Sequence, residues 1–188
     1  MSAAAPLIQR HRYSVDEYYR MAETGILKPN ERVELIEGEI IDMAPIGTSH
    51  TSVVKRLNAI FTHHAGTKAI VSVQDPIRLG KNSEPQPDIA LLRYREDFYR
   101  HAHPGPEDIL LLVEVADSSL RFDQDIKLPL YARHGIPEVW IVDLGHQLVE
   151  VYRRPADGAY LEKHIPERGE IIAPVGLAEF GVAWVELF

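Results

Sequence analysis

Three charged residues carry the chemistry this sequence offers. Asp88 follows Pro87 at the head of the apolar run Asp88 to Leu92; Glu114 interrupts Ile109-Leu110-Leu111-Leu112-Val113-Glu114-Val115; Lys127 stands four residues after Asp123 and four before Tyr131. Burying an unpaired carboxylate is costly, so a glutamate inside an apolar strand calls for a partner cation or a metal. If the strand opening at Asp88 and the strand closing at Glu114 are antiparallel neighbours joined through the Arg93 to Asp108 loop, both carboxylates lie at one sheet end. Two acids so placed suit a hard cation such as Mg²⁺, which takes oxygen ligands at about 2.1 Å, keeps several waters and is held by one or two carboxylates plus substrate phosphate. In the plainer alternative Asp88 caps a turn after proline and Glu114 pairs with a lysine or arginine. Residues four apart share a helix face, so Lys127 points toward the same strand end, where it would orient an attacking water or stabilise transition-state charge on a phosphodiester. Its ordinary alternative is a surface ion pair with Asp123.

Positioning these groups is the task of the remaining chain. Ser14-Val15-Asp16-Glu17 is a capping box that starts a helix, with Val15, Tyr18, Tyr19 and Ala22 on one face and Gly25 as its stop. Arg32 to Ile36 and Glu39 to Met43 flank Glu37-Gly38, an acidic-Gly pair suited to a two-residue hairpin turn. Thr48 or Ser49 caps a second helix running to about His64, with His50 in its first turn. Short β-rich runs follow at Ala69 to Val73, Pro76 to Leu79 and Asp88 to Leu92, and the near-continuous apolarity of Ile109 to Val115 marks a central strand covered on both faces. The spacing predicts a helix from Asp123 to Gly135, kinked by Pro129. Glu138 to Asp143 and Gln147 to Arg153 read as a hairpin around Gly145, with a further strand at Tyr160 to Ile165. Val175 to Phe188 is apolar without a clear period. Helices on a mixed sheet is the simplest α/β architecture.

Composition narrows the function classes. The 188 residues, 45% of them hydrophobic, match one globular domain, expected over 13–188 behind a flexible tail at 1–12. The absence of cysteine excludes disulfides, a thiolate zinc site and a cysteine nucleophile. The first twelve residues lack a secretory core and no later run is long enough to span a bilayer, which points to the cytoplasm. A net charge of -8 argues against non-specific coating of DNA but leaves room for a local basic groove. Lys55-Arg56, Arg93, Arg95 and Arg153-Arg154 are phosphate-contact candidates and, individually, ordinary solvated charges. His63-His64 and His101-x-His103 invite a zinc reading, but neither shows a complete ligand set.

In order along the chain, Glu34-Leu35-Ile36-Glu37-Gly38-Glu39-Ile40, His50, Pro87-Asp88-Ile89, Val113-Glu114-Val115, Asp123, Lys127, Tyr131, Gly135-Ile136 and Glu138-Val139-Trp140-Ile141-Val142-Asp143 resemble the Uma-two family of restriction-endonuclease-like proteins, in the PD-(D/E)xK nuclease superfamily. The resemblance runs from about Tyr13 to Tyr160. It implies a restriction-endonuclease-like mixed central sheet flanked by helices, with an N-terminal helix and a β-hairpin added, and a Mg²⁺ (or Mn²⁺) site acting on DNA. Asp88 matches the acid of the PD motif and Glu114 the second acid. The lysine expected two positions later is missing, since Ala116 stands there; in this family the role moves to the following helix and falls on Lys127.

Glu34 and His50 are recurring family positions as well. Glu34 reads either as an additional acid of the metal site or as a solvated hairpin residue. His50 reads as a phosphate donor or proton shuttle, with an ordinary pKa near neutrality, or as a capping or packing residue.

Two readings of function follow. One is a metal-dependent endonuclease with Asp88 and Glu114 on the ion and Lys127 assisting. The other is a non-catalytic nuclease-fold module that binds nucleic acid or a protein partner, favoured by the acidic balance and the displaced lysine. A homodimer through Val139 to Val151 as an edge strand is a third expectation.

Overall fold

The computed structural model describes residues 10–188, so most of the expected tail at 1–12 lies outside the described residues. Of its last members, Arg12 bonds the Glu37 carbonyl at 3.0 Å and pairs with Glu39 at 2.8 Å, which lays it against the hairpin. Helix α1 (Val15–Glu23) opens on the expected capping box, with the Ser14 N–H donating to Glu17 Oε2 at 2.8 Å. Strands β1 (Val33–Ile36) and β2 (Glu39–Asp42) form the expected hairpin as a separate two-stranded sheet. Its turn holds Glu37 and Gly38 at φ 48° and 79°, the paired positive values that a two-residue turn of this hand requires. Glycine is also forced at 38 by space, because a Cβ there would meet Arg12 at 2.7 Å.

The central sheet has six strands in the order β3 (Ala69–Val73), β4 (Ile89–Arg93), β5 (Ile109–Ala116), β6 (Glu138–Asp143), β7 (Leu148–Ala156) and β8 (Ala159–His164). Only β5 and β6 are parallel, and the third helix, α3 (120–133), connects them. The other pairs are antiparallel. Helix α2 (Thr48–Ala65) lies on one face, where Val53, Leu57 and Phe61 pack with Leu111, Val113, Trp140 and Phe180. On the other face Leu130 and Tyr131 of α3 pack with Leu112, Val139 and Ile141. Strand β5 therefore alternates between two apolar layers, and Glu114 shares its side with Leu112 and Ala116, facing α3.

Several expectations are corrected. Pro76 to Leu79 forms no strand: Ile77 and Leu79 donate to Pro85 and Ser83, folding the segment on itself, and Pro76, Pro85 and Pro87 have no N–H for a ladder. Gly47, not Thr48 or Ser49, occupies the N-cap of α2. Val139 to Val151 is not an edge, since β6 and β7 are each paired on both sides; the edges are β3 and β8, and the dimer contact expected there has no free strand to use. The C-terminal segment closes over the α2 face with a short pair, β9 (Ile171–Ile172) and β10 (Val182–Ala183), and buries Phe180.

Helix α3 begins at Leu120 and is not simply kinked at Pro129. Asp123–Lys127 is a π-turn, in which the Leu128 N–H donates to the Asp123 carbonyl five residues back. Proline lacks the N–H that would close the next ordinary bond, so the wider turn absorbs the break. Among the described residues no helix is long and apolar enough to cross a membrane.

Candidate active site

The strand register decides where the acids go. Ile89 pairs with Val113 in the antiparallel β4–β5 ladder, so Asp88 falls beside Glu114 at one end of the sheet. The Val115 N–H donates to Asp88 Oδ2 at 2.8 Å and locks that juxtaposition. His50, in the first turn of α2, stands with Nε2 3.0 Å from the same oxygen, and Gln74 Nε2 donates to Oδ1 at 3.0 Å. Burial opposes ionisation of Asp88, but the His50, Gln74 and Val115 hydrogen bonds outweigh it and hold its pKa below the ordinary value. A carboxylate can only accept, so His50 donates from Nε2, and that bond is the main cause of its raised pKa. His50 Nδ1 is buried without a partner.

Glu114 lies on the α3 face of β5, opposite the π-turn. Lys127 Nζ is 3.3 Å from its Oε1 and Tyr131 Oη donates to the same oxygen at 2.5 Å. Lys127 Nζ is also 3.2 Å from Glu34 Oε2, which accepts from the Gln86 N–H at 3.0 Å. Glu34, Glu114 and Asp123 are each 3% exposed and Lys127 5%. Neither ordinary alternative holds: Glu34 is not a solvated hairpin residue, and Lys127 is not half of a surface pair with Asp123. The Asp123 carboxylate instead accepts from Ser119 Oγ at 2.6 Å.

These groups line one cleft of about 300 Å³, to which Arg32, Asp42, Asp117 and Phe122 also contribute. Six carboxylates face two permanent cations, Arg32 and Lys127. Burial, with Asp123 and Asp88 adding to it, pushes Glu114 up to about 8 despite Lys127. Burial likewise pushes Asp123 up to about 6. Burial alone would lower Lys127, but the surrounding carboxylates dominate and raise it above the ordinary lysine value, so it stays charged. All three values rise, the acids chiefly through burial and Lys127 through the carboxylates around it.

That surplus of carboxylates and an all-oxygen acidic donor set fit a hard divalent cation. No three of the described His, Asp and Glu residues stand together as a closed ligand set. Among the described residues no zinc-type set of three or four ligands is therefore present. The histidine pairs give no zinc centre either, for His63 and His64 stack edge to face on α2 and His64 packs on Phe180. Most basic residues marked for phosphate are already engaged: Arg56 with the Glu186 carbonyl, Arg93 with the Glu107 carbonyl, Arg95 with Asp97, Arg153 with Glu138 and Arg154 with Glu162.

The five residues marked in the sequence, Asp88, Glu114, Lys127, Glu34 and His50, converge on this cleft. Unmarked were Gln74, Gln86, Ser119 and the hydrogen bond from the Tyr131 hydroxyl to Glu114. Only Tyr131 left a signal, its four-residue spacing from Lys127; the glutamines sit in proline-broken loops without a period.

No curated protein matches the sequence. Among solved structures the fold is shared with a crystal structure from Anabaena variabilis described as "a putative nuclease belonging to DUF820", at TM-score 0.68 and 18% identity over 94% of this chain and 97% of that one. The sequence matches the family described as "Uma2: Putative restriction endonuclease" over residues 15–184. The mixed-sheet fold is thus shared with a solved structure, and the chain belongs to the Uma2 family.

Proposed function

We propose that the protein is a metal-dependent endonuclease that hydrolyses DNA phosphodiester bonds. The observation that carries this reading is the cross-strand pair Asp88 and Glu114, with Lys127 fixed between Glu114 and Glu34. Asp88 and Glu114 are the residues that would hold Mg²⁺ or Mn²⁺. Such an ion, when bound, supplies Lewis-acid activation of water and neutralises charge on the phosphate. Both donors to Glu114 use Oε1, so Oε2 is the oxygen left for the ion. Asp88 is ionised and oriented by three hydrogen bonds. Lys127 remains protonated, which suits it to donate to the attacked phosphate or to orient the attacking water and unsuits it as a general base. His50 steadies Asp88. Glu34 gives Lys127 a second carboxylate partner, at 3.2 Å.

The test joins binding to activity. Mn²⁺ titration by calorimetry is expected to show a site that Asp88→Ala and Glu114→Ala abolish, and plasmid nicking in Mn²⁺ is expected to fall about a hundredfold in Lys127→Ala. Undiminished Mn²⁺ binding in both acid variants would remove the site. Nicking that survives in Lys127→Ala would remove the role given to the lysine.

A further inference from the structure

A second cavity, of about 490 Å³, is lined by Tyr19 and Tyr99, Arg78 and Arg100, and His101 and His103. No carboxylate lines it, in a chain whose net charge is -8. Its floor is built. Glu84, 2% exposed, accepts from Arg78 Nε at 2.6 Å through one oxygen and from the Tyr19 hydroxyl at 2.6 Å through the other. Arg78 is therefore held by one edge of its guanidinium, and among the described residues neither of its Nη groups has an acceptor. The only hydroxyl proton of Tyr19 is committed to Glu84, so the 3.0 Å contact between Tyr19 Oη and His103 Nε2 requires the histidine to donate. That bond fixes the ring of His103.

The loop delivering the other residues is held in an unusual shape. Phe98 and Tyr99 have φ of 48° and 58°, a region that bulky side chains avoid and that clusters at functional sites. Tyr99 donates to the Arg93 carbonyl at 2.7 Å and carries the Arg95 guanidinium 4.5 Å from its ring centre. The Arg78 N–H donates to the Pro104 carbonyl at 2.9 Å, tying the loop to the pocket floor. The side chains of Arg100 and His101 have no hydrogen-bond partner among the described residues.

From these features we infer that this pocket is a binding site for a phosphate group, presented by the backbone of a nucleic-acid strand. Arginine forks match phosphate oxygens in pairs, and Tyr19 and Tyr99 add aromatic rings to the lining for an adjoining sugar or base. The pocket also adjoins the acidic cleft. Glu84 on its floor is two residues from Gln86, whose N–H holds Glu34, and two residues of extended chain span at most about 7 Å. The same short stretch of chain thus anchors the pocket floor and one side of the cleft. The pocket lining carries Arg78 and Arg100 with no carboxylate among them, whereas in the cleft six carboxylates surround Arg32 and Lys127.

The test uses the full chain in EDTA, so that it is independent of the metal-site reading. Anisotropy of a labelled single-stranded oligonucleotide of about twelve nucleotides is measured across a salt series, with inorganic phosphate titrated separately by calorimetry. The double variant Arg100→Ala/His101→Ala leaves the floor intact, and Arg78→Lys keeps the pair with Glu84 but loses the fork. Each is expected to bind the oligonucleotide at least about fivefold more weakly with a shallower salt dependence, while Lys68→Ala, which removes a cation paired with Glu179 outside the pocket, binds as the wild type does. An oligonucleotide affinity well above that for inorganic phosphate assigns the strand; equal affinities, both lost in the variants, keep the phosphate site but assign it to a free anion. Unchanged binding and salt slope in both variants overturns the site, as does a wild-type chain that binds neither probe.

Discussion

Glu114 accepts two hydrogen bonds on one oxygen, and the division of labour between its donors is testable. Lys127 brings charge and is shared with Glu34; Tyr131 brings only a hydroxyl, from a ring with no exposure at all. Tyr131→Phe removes that hydroxyl and leaves the packing in place. Partners that orient a metal-holding carboxylate typically matter by about 10- to 100-fold in affinity. Mn²⁺ binding by calorimetry is therefore expected to weaken about tenfold in this variant. A lowered melting temperature with unchanged Mn²⁺ affinity would make Tyr131 a packing residue only. The residue scale was also the most legible one in the sequence. A carboxylate in an apolar strand and a lysine at four-residue spacing are signals in one dimension, whereas the hydrogen bonds of Gln74 and Gln86 exist only after three dimensions have been closed.

At the scale of elements, α3 depends on its π-turn. Asp123, Lys127 and Tyr131 approach β5 together because the wider turn carries Lys127 round to Glu114 and Glu34. Pro129→Ala restores an N–H and permits an ordinary α-turn, which rotates Lys127 away from the carboxylates. The expected result is a melting temperature that does not fall, since proline in a helix interior costs about 3 kcal/mol, together with plasmid nicking reduced at least about tenfold. Sequence predicted a helix and a disturbance here, but not its form, because a kink and a π-turn answer the same missing donor. The β1–β2 hairpin was readable from Glu37-Gly38 alone, as its geometry is local. Pro76 to Leu79 misread as a strand because its β-branched and apolar residues are buried by a loop that closes on Pro85 and Ser83, contacts with no local signature.

For the whole molecule, the carboxylate surplus sets how stability follows pH. Folded Glu114 holds its proton up to about 8 and folded Asp123 up to about 6, above the ordinary values of 4.5 and 3.8. Between those limits the folded chain binds more protons than the unfolded one, so stability is greatest on the acid side and falls as pH rises. Thermal melts of the metal-free protein are expected to show a melting temperature declining from about pH 5 to 8, with a shallower decline in Glu114→Gln. Saturating Mn²⁺, at about a hundred times its Kd, is expected to add about 2.7 kcal/mol. The fold class followed from alternation and turn residues; the C-terminal cover over α2 did not, because short pieces held by Phe180 carry no period of their own. Glu114 has one more consequence, for how the chain reaches this state. If β5 slipped one residue against β4, every side chain would change face and this carboxylate would enter the dry layer of Val53, Leu57 and Trp140, with no lysine in reach. An all-apolar β5 would tolerate that mistake. The glutamate makes mispairing costly, so the residue that suits the strand to its chemistry also proofreads its assembly.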